Sequence, residues 1–246
     1  MKNVAFFEYD NEPAWIDNLL KAWKRLGNIA IQNRGFFAVA LAGGSTPKSF
    51  YQALAKEEWN WEATRLFIGD ERYVPADDSQ SNFLMIKQNL LDVFNGAPFS
   101  IYRWRTELRP EAAAEEYEMQ LKRNLGDPPS FDLVLLGLGS DGHTASLFPG
   151  SSALREAGRL AVVNEVKDLD TLRLTLTYPI LNTAREAWFL IRGEEKRKIL
   201  DELRDLEASY PAARIRPQNS KYYYFLSEKQ KEKSQTNEER LGDKKT

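Results

Sequence analysis

The run Phe131-Asp132-Leu133-Val134-Leu135-Leu136-Gly137-Leu138-Gly139-Ser140-Asp141-Gly142-His143 decides the fold class of this chain. Its unbroken apolar stretch, 133–136, is typical of a strand that is buried on both faces, as in a parallel sheet. The glycines that follow end the strand and open a loop. Loops at the carboxyl ends of parallel strands are where α/β proteins bind their ligands. The run therefore predicts an α/β protein with a ligand site at this loop.

Short apolar runs alternate with longer amphipathic segments along the rest of the chain, which predicts βαβ units and a mostly parallel sheet. The predicted strands cover residues 4–7, 36–42, 65–69, 131–137, 160–164, 173–177, 187–191 and 222–226. The predicted helices cover 13–34, 82–91, 110–124 and 194–207, with one more beginning at Thr46 or Pro47. We expect a single domain over residues 1–226 and a polar, disordered tail over 227–246.

Composition narrows the classes of function. A net charge of −2 gives no positive field to attract nucleic acid. The chain has no cysteine and one histidine, which argues against a disulfide framework and against a zinc site. No apolar stretch approaches the roughly 20 residues that cross a bilayer, and the N-terminus lacks a signal-peptide pattern. We therefore expect a cytoplasmic protein without metal, membrane or nucleic-acid partners.

His143 is the only histidine of the chain. Histidine is the residue type that most readily exchanges a proton near neutral pH, so this loop could carry acid–base chemistry. Asp141, two residues earlier, could orient the ring or cap a short helix. Gly142 and the other loop glycines could let the backbone approach a ligand closely. A histidine that only packs a turn is the alternative explanation.

Two further loops also follow predicted strands. Gly43-Gly44-Ser45-Thr46-Pro47 offers glycines and hydroxyls that suit a phosphate, although its spacing fits neither a Walker loop nor a dinucleotide fingerprint. An ordinary capped turn is the alternative. Asp70-Glu71-Arg72 could bind a polyol and an anion, or it could be a surface ion-pair cluster. Ser81-Asn82 is interpreted first as a helix cap.

Two cations complete the candidate site. Arg173 begins an apolar strand, and Lys196 lies in the first turn of a predicted helix. A lysine there opposes the helix dipole, which favours an anion nearby, although solvated surface charge explains many such residues.

These motifs resemble those of the 6-phosphogluconolactonase family, within the glucosamine-6-phosphate isomerase/deaminase superfamily. The resemblance rests on Gly43-Gly44-Ser45-Thr46-Pro47, on Gly69-Asp70-Glu71-Arg72-Tyr73-Val74-Pro75 with Ser81-Asn82, and on the segment from Gly137 to Gly150, and it extends in order to about Leu226. The histidine segment is the most specific of the three. The resemblance implies a modified Rossmann-like α/β sheet flanked by helices on both faces, with no nucleotide cofactor and no required metal.

The resemblance also implies the chemistry, the hydrolysis of 6-phospho-D-glucono-1,5-lactone in the oxidative pentose phosphate pathway. His143 would be the general base with Asp141 beside it, and Asp70 and Arg72 would line the sugar site. The 6-phosphate would be held by Ser45, Thr46, Arg173 and Lys196, with Gly43, Gly44 and Gly142 as further substrate contacts. A transient association with glucose-6-phosphate dehydrogenase stays open.

The sequence departs from the family pattern in two places. Residues 167–172 lack a proline-containing lead-in to Arg173, and residues 222–227 lack the usual Trp-x-x-Asp ending. Two other functions are alternatives. Isomerases and deaminases of amino-sugar phosphates carry a glutamate where this chain has Phe148, which removes a group that proton transfer needs. A sugar-phosphate sensor without turnover would usually accompany a DNA-binding segment, and the sequence shows none.

Overall fold

The computed structural model describes residues 3–94, 99–166, 171–204 and 209–225. Its main feature is a seven-stranded sheet in which every pairing is parallel, in the order β1-β10-β9-β6-β2-β3-β5. A three-stranded antiparallel sheet, β4-β8-β7, stands beside it. The strands are β1 Asn3–Tyr9, β2 Phe37–Leu41, β3 Thr64–Ile68, β4 Asp70–Arg72, β5 Ser100–Tyr102, β6 Leu133–Leu136, β7 Ala161–Val166, β8 Thr171–Leu176, β9 Glu186–Arg192 and β10 Asn219–Phe225.

Six α-helices are present in the ranges that the structure describes: α1 Glu12–Arg34, α2 Lys48–Leu54, α3 Asn82–Ile86, α4 Pro110–Asn124, α5 Tyr178–Leu181 and α6 Arg197–Arg204. A π-helical turn, Lys87–Leu91, continues α3, and the 3₁₀ turn Glu194–Lys196 leads directly into α6. Two other 3₁₀ turns span Ser152–Arg155 and Pro211–Arg214. No helix in these ranges is long and apolar enough to cross a membrane.

The long helices cover both faces of the parallel sheet. The Trp23 ring of α1 packs edge-on against Phe37 of β2, with centroids 5.0 Å apart. The Tyr117 ring of α4 packs edge-on against Phe67 of β3 at 6.4 Å. Phe67 is in register with Ala40, which is three residues from Phe37 and so projects from the opposite face. The α/β fold with a mostly parallel sheet flanked by helices is therefore confirmed.

All eight predicted strands are present, but their arrangement adds a correction. The strands predicted at 160–164 and 173–177 do not join the parallel sheet, because they form the antiparallel sheet with β4. The three-residue strands β4 and β5 were not predicted. β4 consists of Asp70, Glu71 and Arg72, which no apolar pattern marks as a strand.

The predicted helices are also present, with different limits. Residues 82–91 form one α-helical and one π-helical turn rather than a continuous α-helix. Residues 194–204 divide in the same way into a 3₁₀ turn and α6. Residues 205–207 of that prediction lie outside the described residues, as do the tail 227–246 and residues 167–170 before Arg173.

Candidate active site

The sheet order brings the predicted loops together. Strands β9, β6, β2 and β3 are consecutive neighbours and run parallel, so the loops at their carboxyl ends open at the same edge. The chain leaves β2 toward β3 and β5, and it leaves β6 toward β9 and β10. The crevice between β2 and β6 is therefore the topological switch point, where open α/β sheets bind ligands.

A cavity of about 640 Å³ occupies this edge of the sheet. Most of the candidate residues from the sequence line it: Gly43, Gly44, Ser45, Thr46, Asp70, Arg72, His143, Arg173 and Lys196. Asp141 and Gly142 do not line the cavity. Each of these two residues instead has a contact within the protein that explains its position.

Asp141 holds the imidazole of His143. Its Oδ1 lies 2.5 Å from His143 Nδ1 and also accepts the His143 backbone N–H at 3.1 Å. Burial raises the pKa of Asp141, but the hydrogen bonds and the charge from His143 outweigh it, so this pKa lies below its ordinary value. An ionised carboxylate can only accept, so Nδ1 of the neutral ring carries the proton and Nε2 keeps its lone pair. The pair, called the His143–Asp141 dyad below, can therefore act as a base.

Neighbouring residues fix the ring in the dyad. The Phe148 ring stacks on the imidazole with centroids 4.2 Å apart and an interplanar angle of 29°. On another side, a Cβ on Gly139 would lie 2.1 Å from His143 Nδ1. Gly139 thus leaves space for the side chains of the dyad. From the sequence, the expected role of this glycine is to let the backbone approach a ligand closely.

Gly142 has a different role from the predicted substrate contact. Its φ is +77°, which favours glycine, and a Cβ there would lie 2.2 Å from Tyr210 Cδ1. The ring of Tyr210 therefore occupies the space beside the Gly142 Cα. Only the tertiary structure reveals this contact, because the two residues are 68 positions apart.

The two glycines of the first loop also have different roles. Gly44 has a φ of +84° and makes the turn, whereas Gly43 has no positive φ. A Cβ on Gly43 would lie 2.1 Å from Asn82 Oδ1, so the amide of Asn82 fills that space. Helix α2 begins after Pro47 without a side-chain cap. The hydroxyls of Ser45 and Thr46 therefore do not cap this helix, which weakens the interpretation of the loop as an ordinary capped turn.

The two acidic residues of β4, Asp70 and Glu71, have different contacts. Asp70 accepts the Ser146 hydroxyl at 2.7 Å and lines the cavity. Glu71 points away, and its carboxylate accepts the backbone N–H groups of Asn82 at 2.7 Å and Phe83 at 2.8 Å. Burial raises the pKa of Glu71, and these hydrogen bonds lower it only in part. Glu71 thus holds the start of α3, and the predicted Ser81 cap is present, with its Oγ accepting from Leu84 N at 3.2 Å.

Two guanidinium groups face the cavity side by side. The antiparallel register places Arg72 of β4 opposite Arg173 of β8, and both line the cavity. Arg72 donates from Nη1 to Gln80 O at 2.6 Å, which fixes its position. The Nε of Arg173 is buried and has no hydrogen-bond partner in the described part of the chain. Burial, followed by the charge of Arg72, lowers the pKa of Arg173. An anion between the two cations would relieve this repulsion and pair the buried donor.

Asn82, Phe148 and Arg192 also line the cavity. From the sequence, Asn82 is interpreted as part of a helix cap and Phe148 only as the position where isomerases carry a glutamate, and Arg192 is not identified. Arg192 ends β9 and lies 3.7 Å from the Glu12 carboxylate. Its position at the carboxyl end of a parallel strand is the signal that could have revealed it.

Asn82 fills the space at Gly43, which is distant in the chain, so no local pattern indicates that contact. Phe148 stacks on the nearby His143, and its position in the histidine segment is the signal for it.

No group of three or more histidine, cysteine, aspartate or glutamate side chains converges on a candidate metal site within the residues described. The polar side chains that meet in the cavity are instead cations, hydroxyls, one amide, one imidazole and the two carboxylates of Asp70 and Glu195. This arrangement can hold an anion at one side and move a proton at the other.

Comparisons with known proteins show the family to which the chain belongs. The sequence model of the family described as glucosamine-6-phosphate isomerases/6-phosphogluconolactonase matches residues 10–224. A 6-phosphogluconolactonase of Synechocystis is 44% identical over 197 residues, which are 77% of this chain and 81% of that protein. One from Chlamydia pneumoniae is 36% identical over 221 residues, covering 87% of this chain and 84% of the relative.

Solved structures give the same result. The 6-phosphogluconolactonase of Thermotoga maritima superposes with a TM-score of 0.81 at 30% identity, covering 92% of this chain and all of that one. The enzyme from Trypanosoma brucei gives 0.79 at 29% identity, covering 92% and 97%. The chain therefore belongs to the glucosamine-6-phosphate isomerase/6-phosphogluconolactonase family of enzymes. Within that family its relatives place it with the 6-phosphogluconolactonases, as the resemblance of its motifs implied.

Proposed function

We propose that this chain hydrolyses 6-phospho-D-glucono-1,5-lactone to 6-phospho-D-gluconate, with His143 as the general base. The observation that carries the proposal is that the oriented imidazole and the Arg72–Arg173 pair line one cavity. A phosphorylated sugar lactone has both an anion for the arginines and a carbonyl carbon for an activated water. The names of the relatives support the same substrate.

The phosphate would be held at the cationic side of the cavity. Arg173 has a buried Nε that finds no hydrogen-bond partner among the described residues, and Lys196 lies on the turn that follows β9. Ser45 and Thr46 add hydroxyl groups, and Gly43 and Gly44 bring the backbone close. Asp70 and Arg72 would line the sugar. Gly142 leaves the set of proposed ligand contacts, because Tyr210 occupies the space beside it.

The dyad would perform the chemical step. Nε2 of His143 takes a proton from water while the water oxygen attacks the lactone carbonyl carbon. Negative charge then develops on the carbonyl oxygen, where backbone N–H groups can stabilise it. When the bond to the ring oxygen breaks, the imidazolium returns its proton to that oxygen. The contacts that bind the phosphate lie far from the reacting carbon, and they position the substrate for this attack.

The contacts of Ser146 and Phe148 argue against other mechanisms. Ser146 is buried and donates its hydroxyl to Asp70, so it is not arranged as a nucleophile activated by His143. Phe148 places a ring on the imidazole where the isomerases and deaminases carry a glutamate. We therefore expect no conversion of glucosamine 6-phosphate. A sensor that only binds would not need a carboxylate that holds the imidazole in the tautomer whose Nε2 keeps its lone pair.

The test is the rate of hydrolysis of freshly generated lactone, corrected for spontaneous hydrolysis. His143→Asn removes the base, so we expect hydrolysis to fall to background while 6-phosphogluconate still binds. Unchanged turnover would exclude His143 as the base. The association with glucose-6-phosphate dehydrogenase stays a prediction, which co-sedimentation of the two purified proteins can test.

The phosphate assignment has its own test. Arg173→Ala removes a charge-assisted contact worth about 1.5–3 kcal/mol, which is roughly 10- to 150-fold in kcat/KM. The loss should appear with the phosphorylated lactone and not with unphosphorylated gluconolactone. Arg123→Ala, on the exposed end of α4, is the matched control. An equal loss on both substrates would contradict the phosphate role.

A further inference from the structure

A short segment after α6 contacts the histidine loop directly. The ring of Tyr210 lies against Gly142, where a Cβ would come within 2.2 Å of Tyr210 Cδ1. The backbone N–H of Ala212 donates to Gly142 O at 3.1 Å. Gly142, the residue immediately before His143, is therefore contacted by this segment at two points, its Cα and its carbonyl oxygen.

The segment is itself anchored on two sides. The hydroxyl of Tyr210 is hydrogen-bonded to Glu202 Oε2, and Glu202 lies in α6. The Tyr178 hydroxyl, from α5, donates to Pro211 O at 3.0 Å. Because α6 directly continues the turn that bears Lys196, Tyr210 connects the phosphate side of the cavity to the loop that carries the base.

Beyond His143 the histidine loop is anchored by Ser146, which donates its hydroxyl to Asp70 and accepts from the Asn164 amide at its carbonyl oxygen. Before His143 its contacts with another segment are those of Gly142.

The loop contains Gly142 with φ +77° and Ala145 with φ +48°, the latter a backbone conformation that alanine rarely adopts. Glycine-rich backbone also has many alternative conformations available to it. Inside the loop, Gly139 N donates to His143 O at 2.8 Å. This hydrogen bond closes the turn but does not fix its orientation relative to the cavity.

We propose that Tyr210 is a positioning residue that holds the histidine loop against α6 and so aligns the His143–Asp141 dyad with the phosphate-binding side of the cavity. The proposal rests on the proposed function for its kinetic consequence. The ring of Tyr210 supplies the contact with Gly142, and its hydroxyl ties that ring to Glu202. Tyr210 touches no reacting atom, so its loss should affect the alignment of the base and leave the phosphate contacts in place.

The experiment compares Tyr210→Ala, Tyr210→Leu and Tyr210→Phe with Tyr102→Phe as the matched control. Tyr102 donates a similar hydroxyl hydrogen bond to Asn124 at 2.9 Å and does not line the cavity. Misalignment of reacting groups by about 1 Å costs on the order of 100-fold. We therefore expect kcat to fall about 10- to 100-fold in Tyr210→Ala, with KM changed less than about threefold. Tyr210→Phe keeps the ring and should lose much less, and Tyr102→Phe should lose nothing.

A second readout does not depend on turnover. His143 is the only histidine, so ¹⁵N spectra of its imidazole give an unambiguous tautomer. The wild-type ring should be protonated at Nδ1 when neutral. Gly142 lies between Asp141 and His143, so its release in Tyr210→Ala should also let the two members of the dyad separate and populate the Nε2–H tautomer. A purely structural role for Tyr210 would lower the Tm without changing this signal. If Tyr210→Ala does not fold, Tyr210→Leu keeps an apolar side chain at the position and is measured instead.

The outcomes separate this inference from the proposed function. A normal kcat together with an unchanged tautomer in the folded variant would overturn the role of Tyr210. Full activity of His143→Asn would overturn the proposed base but leave the tautomer result for Tyr210 intact. A rise in KM with unchanged kcat would also contradict the inference, because it would place Tyr210 in substrate binding.

Discussion

The substitution Gly139→Ala tests the His143–Asp141 dyad without removing any functional group. Gly139 has no positive φ, so alanine is compatible with the backbone. Its Cβ, however, would lie 2.1 Å from His143 Nδ1, 2.4 Å from His143 Cε1 and 2.6 Å from Asp141 Oδ1. The methyl group would therefore act as a wedge between the two members of the dyad.

The size of the effect follows from these distances. Ordinary van der Waals contact begins at 3.4 Å, so the imidazole must move by about 1.3 Å to accept the methyl group. A displacement of about 1 Å costs on the order of 100-fold in rate, equivalent to about 2.7 kcal/mol of transition-state stabilisation. We expect kcat to fall by about that factor. KM should change little, because the proposed phosphate contacts are on other loops.

The assay is steady-state hydrolysis of the phosphorylated lactone, combined with calorimetric binding of 6-phosphogluconate. Gly158→Ala is the control, because a Cβ there meets only Glu156 Oε1 at an ordinary 3.8 Å. A Gly139→Ala enzyme that is folded, binds product and keeps its full kcat would refute the geometry described for the dyad. Loss of product binding as well would indicate a wider collapse of the site.

Three further predictions concern the elements around the site. Glu71→Gln leaves one acceptor oxygen where both carboxylate oxygens accept hydrogen bonds, so thermal denaturation should show a loss of about 2 kcal/mol, or roughly 4–8 °C in Tm. Gly43→Ala should displace the Asn82 amide and raise KM more than it lowers kcat in steady-state kinetics. Burial raises the pKa of Tyr222 to about 12 from 10.0, so the unfolded chain releases this proton first, and stability should fall as pH rises from 10 to 12. Urea unfolding at pH 9 and 11 should show a smaller fall for Tyr222→Phe, and an identical fall would contradict this assignment.

The elements that the sequence predicted well are those whose burial pattern is local. Leu133–Leu136 is buried along its whole length, and the Trp and Leu spacing of α1 produces one buried helix face. Asn11 and Gly35 mark the ends of α1, with the Asn11 side chain accepting from Ala14 N at 2.9 Å. Such signals are contained within one turn or one strand, so they can be recognised without knowledge of the partner elements.

The elements that the sequence did not predict depend on partners distant in the chain. β4 is a strand because Asp70 pairs with Thr175 and Arg72 with Arg173, about 100 residues later. Its charged residues have no strand pattern of their own. β8 pairs with β4 and with β7, so the strands predicted at 160–164 and 173–177 lie in the antiparallel sheet instead of the parallel one. Hydrogen-bonding partners of this kind are chosen by the whole fold.

The sequence by itself determined the α/β class, the three candidate loops and the chemical groups on them, because periodic burial and residue type are properties of short segments. The tertiary structure decided which of these groups meet. It placed Arg72 beside Arg173, and it assigned the space at Gly139 to the dyad, at Gly43 to Asn82 and at Gly142 to Tyr210. A glycine in the sequence indicates only that a side chain is missing. At Gly43 and Gly142 the atoms that fill the space come from distant segments, whose approach is fixed by the packing of the complete fold, whereas at Gly139 they come from the same loop.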